Sequence, residues 1–214
     1  MKIVGITGRS GCGKSSVTAW LAAAGYPCVD ADRIARAVTE PGSACLPALQ
    51  ARFGADILDK NGQLCRRLLA QRAFATPEGT AALTAITFPE IARRVTAAAR
   101  AAQAQGSKLF FVDGAVLVGT PFARECQTMV LVTAPYAQSV RRICARDGVT
   151  PETARQRLDA QTPEAVLRAA ADYEIVNDGN FARLITQARA MLARLQKEDN
   201  EKETDVTPES PDPR

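Results

Sequence analysis

Eight residues near the start of the chain, Gly8-Arg9-Ser10-Gly11-Cys12-Gly13-Lys14-Ser15, carry the spacing G-x-x-x-x-G-K-[ST] of a phosphate-binding loop. Each residue type has a job in such a loop. Glycines let the backbone curl until successive N–H groups point inward at phosphate oxygens. Lys14 can reach the β- and γ-phosphates, and the Ser15 hydroxyl can ligate Mg²⁺. The flanks supply the context the motif requires. Ile3, Val4 and Ile6 read as a short buried strand, and Ser16 to Ala24 as a helix with Val17, Trp20 and Leu21 on one face. Strand, loop and helix together predict a nucleoside triphosphate site at a helix N-terminus, lined by Gly11, Cys12, Gly13, Lys14, Ser15 and Ser16.

Three aspartates fall where further strands should end. Asp30 and Asp32 close a short strand over 27–30 and precede a helical run. Asp30 reads as the cap of the following helix, and Asp32 as the carboxylate that holds or deprotonates an attacking hydroxyl. Asp113 follows the apolar run Leu109-Phe110-Phe111-Val112, where an acid in a phosphate-loop protein holds Mg²⁺ directly or through water. Asp113-Gly114 is also a good turn dipeptide. A basic set follows: Arg141, Arg142, Arg146, Arg155, Arg157 and Arg168. Arg142 and Arg146 share one helix face, which suits a lid that closes over a triphosphate and stabilises transferred charge. A solvated helix face would carry the same pattern.

These groups need strands to place them. Strands are predicted at 108–113, 128–133 and 174–176 besides the two already named, with a helix after Asp32 to about 39 that Pro41-Gly42 breaks. Residues 46–105 read as mainly helical, with a turn at Asn61-Gly62 and a break at Thr87-Phe88-Pro89. A basic helical region spans about 135–168, and a last helix about 181–195. Strands alternating with helices predict an α/β protein with a parallel, doubly wound sheet, whose ligands bind at the carboxyl ends of the strands. The expected organisation is one domain over 1–196. Its core covers about 1–40 and 106–196, a helical insertion about 41–105, and a lid about 136–170. Residues 197–214 read as a disordered acidic tail.

Composition narrows the function further. The chain has 214 residues, 46% of them apolar, enough for a core, yet no apolar run reaches the ~18 residues of a membrane span. Met1-Lys2-Ile3 runs straight into the first strand, so no signal peptide is visible. Six scattered cysteines without a C-x-x-C pair suggest a reducing cytoplasm rather than disulfides or zinc. Histidine is absent altogether, which removes it as base, nucleophile or metal ligand. The tail carries a charge of −4 and residues 1–196 carry +8, a balance suited to a polyphosphate. With aromatics at 5% and no aromatic-basic interleaving, a nucleic-acid groove is not expected. A membrane partner is not expected either.

Over nearly the whole chain except the tail, the residues resemble the dephospho-coenzyme A kinase family. The loop Gly5-Ile6-Thr7-Gly8-Arg9-Ser10-Gly11-Cys12-Gly13-Lys14-Ser15 is similar to the family's Gly-Leu-Thr-Gly-Gly-Ile-Gly-Ser-Gly-Lys-Ser. Asp30-Ala31-Asp32-Arg33-Ile34-Ala35-Arg36 resembles its Asp-Ala-Asp-x-Ile-Ala-Arg block, the most specific match. Phe53-Gly54, Ile57-Leu58-Asp59, Arg146-Asp147-Gly148, Arg157-Leu158 and Gln161 also fit, as does Ala171-Asp172 through Asn177-Asp178-Gly179.

The resemblance implies a P-loop kinase fold and a reaction in which ATP, with Mg²⁺, phosphorylates the ribose 3′-hydroxyl of dephospho-coenzyme A. Asp32 would act on that hydroxyl, Lys14 on the phosphoryl group, and Ser15 and Asp113 on Mg²⁺. Arg142 and Arg146 would come from the lid, and Asn177 would lie near the adenine. A monomer or weak homo-oligomer is expected. Departures concentrate on the acceptor side: Cys65 where the family has Asp, Phe88 where it has His, and Gly119 where it has Glu. They leave two further readings open, a kinase of the same fold with another nucleoside or nucleotide acceptor, and an ATP-binding module without transfer activity.

Overall fold

The computed structural model describes residues 1–115 and 117–204, with side chains as far as Glu198. The chain divides into two units. One holds Met1–Cys28 and everything from Gly106 onward, and the other is Val29–Gln105.

The sheet has strand order β2-β3-β1-β4-β5, and its strands β1, β3, β4 and β5 belong to the first unit. The strands are β1 (Lys2–Thr7), β2 (Cys28–Asp30), β3 (Leu109–Asp113), β4 (Thr128–Thr133) and β5 (Tyr173–Val176). β1 pairs in parallel with β3 on one side and β4 on the other, and β4 pairs in parallel with β5. Continuous apolar runs such as Thr128–Thr133, buried at every position, are what a parallel sheet covered on both faces demands. The order in which strands are added reverses between β1 and β4, so the loop after β1 opens at the topological switch point, where such sheets bind ligands. Around the sheet pack α1 (Lys14–Ala23), α6 (Tyr136–Asp147), α7 (Pro151–Asp159), α8 (Glu164–Ala169) and α9 (Phe181–Thr204). Val17 and Leu21 of α1 join Val4, Phe111, Val132 and Leu184 in the main core. Val140, Ile143, Ala154 and Leu158 form a smaller core that binds α6 to α7, the basic region expected as a lid.

α9 does not stop near 195. It continues to Thr204, so residues 197–204, expected to be disordered, are helical; 205–214 lie outside the described residues. The extension has a physical cause. Leu184, Ala188, Met191 and Leu195 are buried at helical spacing, and Glu198 falls next on that face. Glu198 receives a hydrogen bond and ion pair from the nearly buried Lys2 at 2.7 Å and a short hydrogen bond from the Tyr173 hydroxyl.

The second unit contains α2 (Ala31–Ala37), α3 (Cys45–Phe53), α4 (Arg66–Ala73) and α5 (Pro77–Ala104). Its core joins Val38, Leu49, Phe53, Ile57, Leu69 and Ala73, with Ile86 and Ile91 packed against them. α5 is one helix of 28 residues, capped by the Thr76 hydroxyl on Gly79 N–H at 3.0 Å and opened by Pro77. The expected break at 87–89 is absent: Pro89 sits inside the helix. A proline there costs ~3 kcal/mol in a lone helix. Burial of Val95 and packing of Ile86 and Ile91 offset it, at ~1.5–3 kcal/mol for each aliphatic side chain fully buried. The Cys45 thiol also reaches the Ile86 carbonyl beside the proline, at 3.6 Å.

Candidate active site

Gly13 makes the loop possible. It is the N-cap of α1, at φ 101°, and contributes no side-chain cap. The first turn of α1 is thus left to other partners, the condition for an anion site. A Cβ on Gly13 would overlap the Asn177 amide. Lys14 is half-buried and folds back over the loop, donating to Gly8 O at 2.7 Å. Ser15 is exposed at the start of the helix and Ser16 is half-buried, its N–H on Gly13 O at 3.0 Å. Cys12 is buried, and burial pushes its thiol pKa up although Lys14 pulls the other way. It stays a neutral thiol at neutral pH, adding no negative charge to a loop that must accept polyphosphate.

Two side chains brace the loop from behind. Arg142, half-buried on α6, donates to Gly11 O at 3.0 Å, Asn177 Oδ1 at 3.1 Å and Gln138 Oε1 at 3.2 Å. Asn177, 5% exposed beyond β5, donates to Cys12 O at 2.8 Å and accepts from Gly179 N–H at 3.3 Å. Three of its four hydrogen-bonding capacities are thus taken by the loop, by Arg142 and by its own turn. In this arrangement Asn177 supports the loop. Gln138 completes the brace by donating to Asp178 O at 2.7 Å.

The structure also separates the lid arginines. Adjacent helical residues point about 100° apart, so Arg141 and Arg142 cannot share a role. Arg142 meets the loop, and Arg141 is exposed. Arg146 is exposed and bonds Asp147 at 2.7 Å, which Arg157 shares at 2.9 Å. These two guanidiniums hold the Asp147 carboxyl below its ordinary pKa, Arg146 most strongly. Of the two arginines expected in the site, only Arg142 bonds the loop in this structure. Asp113 stands at the end of β3, opposite Ile6 in register, and the hydroxyl of Thr18 on α1 donates to it at 3.3 Å.

Asp30 is the N-cap of α2, accepting from Arg33 N–H at 2.8 Å. Asp32 lies in the first turn of α2 and is half-buried. The two are therefore separated by a strand-to-helix junction. The far end of α2 is pinned by Arg66, a residue whose sequence neighbourhood gives no sign of that role. It donates to Thr39 Oγ1 at 2.8 Å and Arg36 O at 3.0 Å.

Two departures from the family pattern acquire a local meaning. Cys65 is the N-cap of α4 and makes no side-chain cap. An aspartate there would cap the helix, so Cys65→Asp should raise stability by ~1 kcal/mol, read as an upward shift in Tm. An unchanged or lower Tm would show that position 65 does not limit α4. Gly119 is exposed at φ 85°, a conformation that a glutamate would strain. Phe88 is half-buried within α5.

A parallel sheet with a glycine loop and its lysine at the switch point, braced by a helical arginine, defines a P-loop kinase. Solved kinases share the fold. A dephospho-CoA kinase from Campylobacter jejuni superimposes with TM-score 0.56 at 23% identity, over 90% of this chain and 96% of that one. A shikimate kinase from Acinetobacter baumannii gives 0.53 at 17%, over 92% and 94%. A crystal structure from Thermus thermophilus reaches 0.77 at 33% identity, over 91% and 97%.

The family model described as "Dephospho-CoA kinase" matches residues 2–183. A dephospho-CoA kinase of Corynebacterium glutamicum is 37% identical over 192 residues, 90% of this chain and 96% of that protein. The chain belongs to the dephospho-CoA kinase family.

Such a kinase uses ATP, typically with Mg²⁺. Among the described residues no group of three or more His, Cys, Asp or Glu could hold a metal. Mg²⁺ in a kinase site takes one or two protein oxygens and fills the rest with phosphate and water, so Ser15 and Asp113 make a fitting donor set. Among the described residues no helix is long and apolar enough to cross a membrane.

Proposed function

We propose that this chain transfers the γ-phosphoryl group of ATP to the ribose 3′-hydroxyl of dephospho-coenzyme A, releasing coenzyme A and ADP. The observation that carries the reading is the uncapped, left-handed Gly13 ahead of Lys14, in a chain matched by its family over residues 2–183. The loop amides and Lys14 cradle the phosphates, Lys14 leaving Gly8 O to do so. The acceptor oxygen attacks the γ-phosphorus, and the bond to the β–γ bridging oxygen breaks. The hydroxyl proton passes to the Asp32 carboxylate, and charge gathering on the leaving ADP is met by Lys14.

Ser15 and Asp113 would hold Mg²⁺, which would supply neutralisation of the charge on the polyphosphate. Arg142 acts through the loop it braces, and Asn177 does the same. Arg146 joins the phosphates on exchanging Asp147 for them.

Incubation with ATP, Mg²⁺ and dephospho-coenzyme A should yield ADP and a product heavier by one phosphoryl group, identified as coenzyme A by mass. ATP binding without that product would refute the acceptor assignment. Phe88 and Gly119 motivate the second reading, another nucleoside or nucleotide as acceptor, which a screen of such compounds would then address.

A further inference from the structure

We propose that Arg9, Ser10 and Gln161 form a clasp that holds the 158–161 turn on the phosphate loop and sets how long ATP stays bound. Gln161 grips Ser10 twice. Its Oε1 accepts from Ser10 N–H at 2.9 Å, and its Nε2 donates to Ser10 Oγ at 2.7 Å. One residue earlier, Arg9 donates through Nη2 to Leu158 O and stands 3.9 Å from Asp159 Oδ1. The Arg9 guanidinium also lies 6.0 Å from the centroid of Tyr136, whose hydroxyl donates to Asp159 at 3.0 Å. Two successive loop residues are thus bonded to the end of α7, where exposed carbonyls favour a cation. Leu158 is buried in the core that binds α7 to α6, so the clasp joins the loop to the whole α6–α7 pair.

The arrangement is not the most stable one for Arg9. Its Nε is buried without a hydrogen-bond partner among the described residues, and a buried orphan donor is a cost. A cost kept beside a substrate loop is what a functional constraint looks like. The similar family loop has glycine and isoleucine where this chain has Arg9 and Ser10, and neither offers a side-chain donor or acceptor. The contacts made by the Arg9 and Ser10 side chains therefore belong to this chain's own sequence, while Gln161 and the N–H of residue 10 fit the family pattern. Held this way, the loop keeps its curl and the α7 end remains over it. ATP then leaves only when the Ser10 and Arg9 contacts open together.

The inference rests on ATP being the donor and is independent of the acceptor. It makes Arg9, Ser10 and Gln161 positioning residues. Stopped-flow release of a fluorescent ATP analogue (mant-ATP) tests it without any acceptor present. Arg9→Gly and Gln161→Ala should each speed release by about tenfold, the scale of one or two hydrogen bonds. The double variant should release hardly faster than either, because one element is being opened. Gln161→Glu, which still accepts from Ser10, should restore most of the slow release. Tm by circular dichroism should stay near wild type in all four.

Wild-type release rates in Arg9→Gly and Gln161→Ala would overturn the clasp. So would release that speeds only in proportion to a fall in Tm, since that is a merely structural role. A wild-type chain that binds no mant-ATP would overturn the donor reading and the clasp with it, an outcome distinct from normal binding with unaltered variants.

Discussion

Asp32→Asn should lower turnover by ~10²–10⁴-fold while ATP remains bound, the range for loss of a general base. The β2–α2 junction divides the labour between two carboxylates. Asp30 already supplies the helix cap, with Arg33 N–H on its carboxylate at 2.8 Å. The Asp32 carboxylate, half-buried one residue into the helix, is not needed for that purpose. The Arg66 bonds to Thr39 and Arg36 fix the other end of α2, so the substitution should not move the helix. Asparagine keeps the shape and loses the charge. Asp30→Ala is the matched control: it should cost ~0.5–2 kcal/mol of stability and leave most of the chemistry. Wild-type turnover in Asp32→Asn would assign the proton to another group, and loss of ATP binding would make the residue structural.

Gly13→Ala should abolish ATP binding and destabilise the loop, because two independent costs fall on one atom. The residue sits at φ 101°, where an L side chain is strained by ~1–2 kcal/mol. The added Cβ would also overlap the Asn177 amide, which is 5% exposed and bonded to Cys12 O, so it has nowhere to retreat. Relief requires either Asn177 to leave Cys12 or α1 to shift, and each opens the curl that the triphosphate needs. Calorimetric titration with ATP would show no heat of binding. Gly62→Ala makes a useful comparison, since its Cβ meets nothing within 4 Å and only the backbone strain remains. Should Gly13→Ala bind ATP as tightly as wild type, the bracing by Asn177 would be dispensable.

Local features are the ones legible in the amino-acid sequence. The loop, the β strands and the start of α2 are written in contiguous residues, and the main features of a parallel α/β sheet follow from them. The Asp30–Asp32 pair shows the limit of local reading. Its two roles are separable from position, but the turn into helix directly after Asp30 is not, since three residues make a strand that carries no period. Pro89 shows another limit: a helix breaker by its own chemistry is outvoted by a buried flank assembled from α3 and α4. The assignment of Arg142 rather than Arg141 to the loop depends on helix phase, which two adjacent arginines in a basic run do not supply. Gln161, Arg9 and Arg66 each act on residues far away or on backbone oxygens, and single-residue chemistry gives no signal for such pairs. Composition hides the α9 extension: Lys, Glu and Asn resemble a solvated tail until Lys2 and Tyr173 provide partners for Glu198.

The position of β1 in the sheet has a consequence for synthesis. The phosphate loop leaves the ribosome well before its neighbours, since β1 is flanked by strands that begin at Leu109 and Thr128. Its loop is braced from Arg142 and Asn177, and its first lysine is paired from Glu198. A nascent chain therefore carries the motif without the walls that give it affinity until those later residues have emerged. Contacts of such long sequence separation slow folding, because the loop-closure entropy falls due before the contacts reward it. Nucleotide recruitment during translation should arise late and abruptly, once the residues beyond β5 are free to dock.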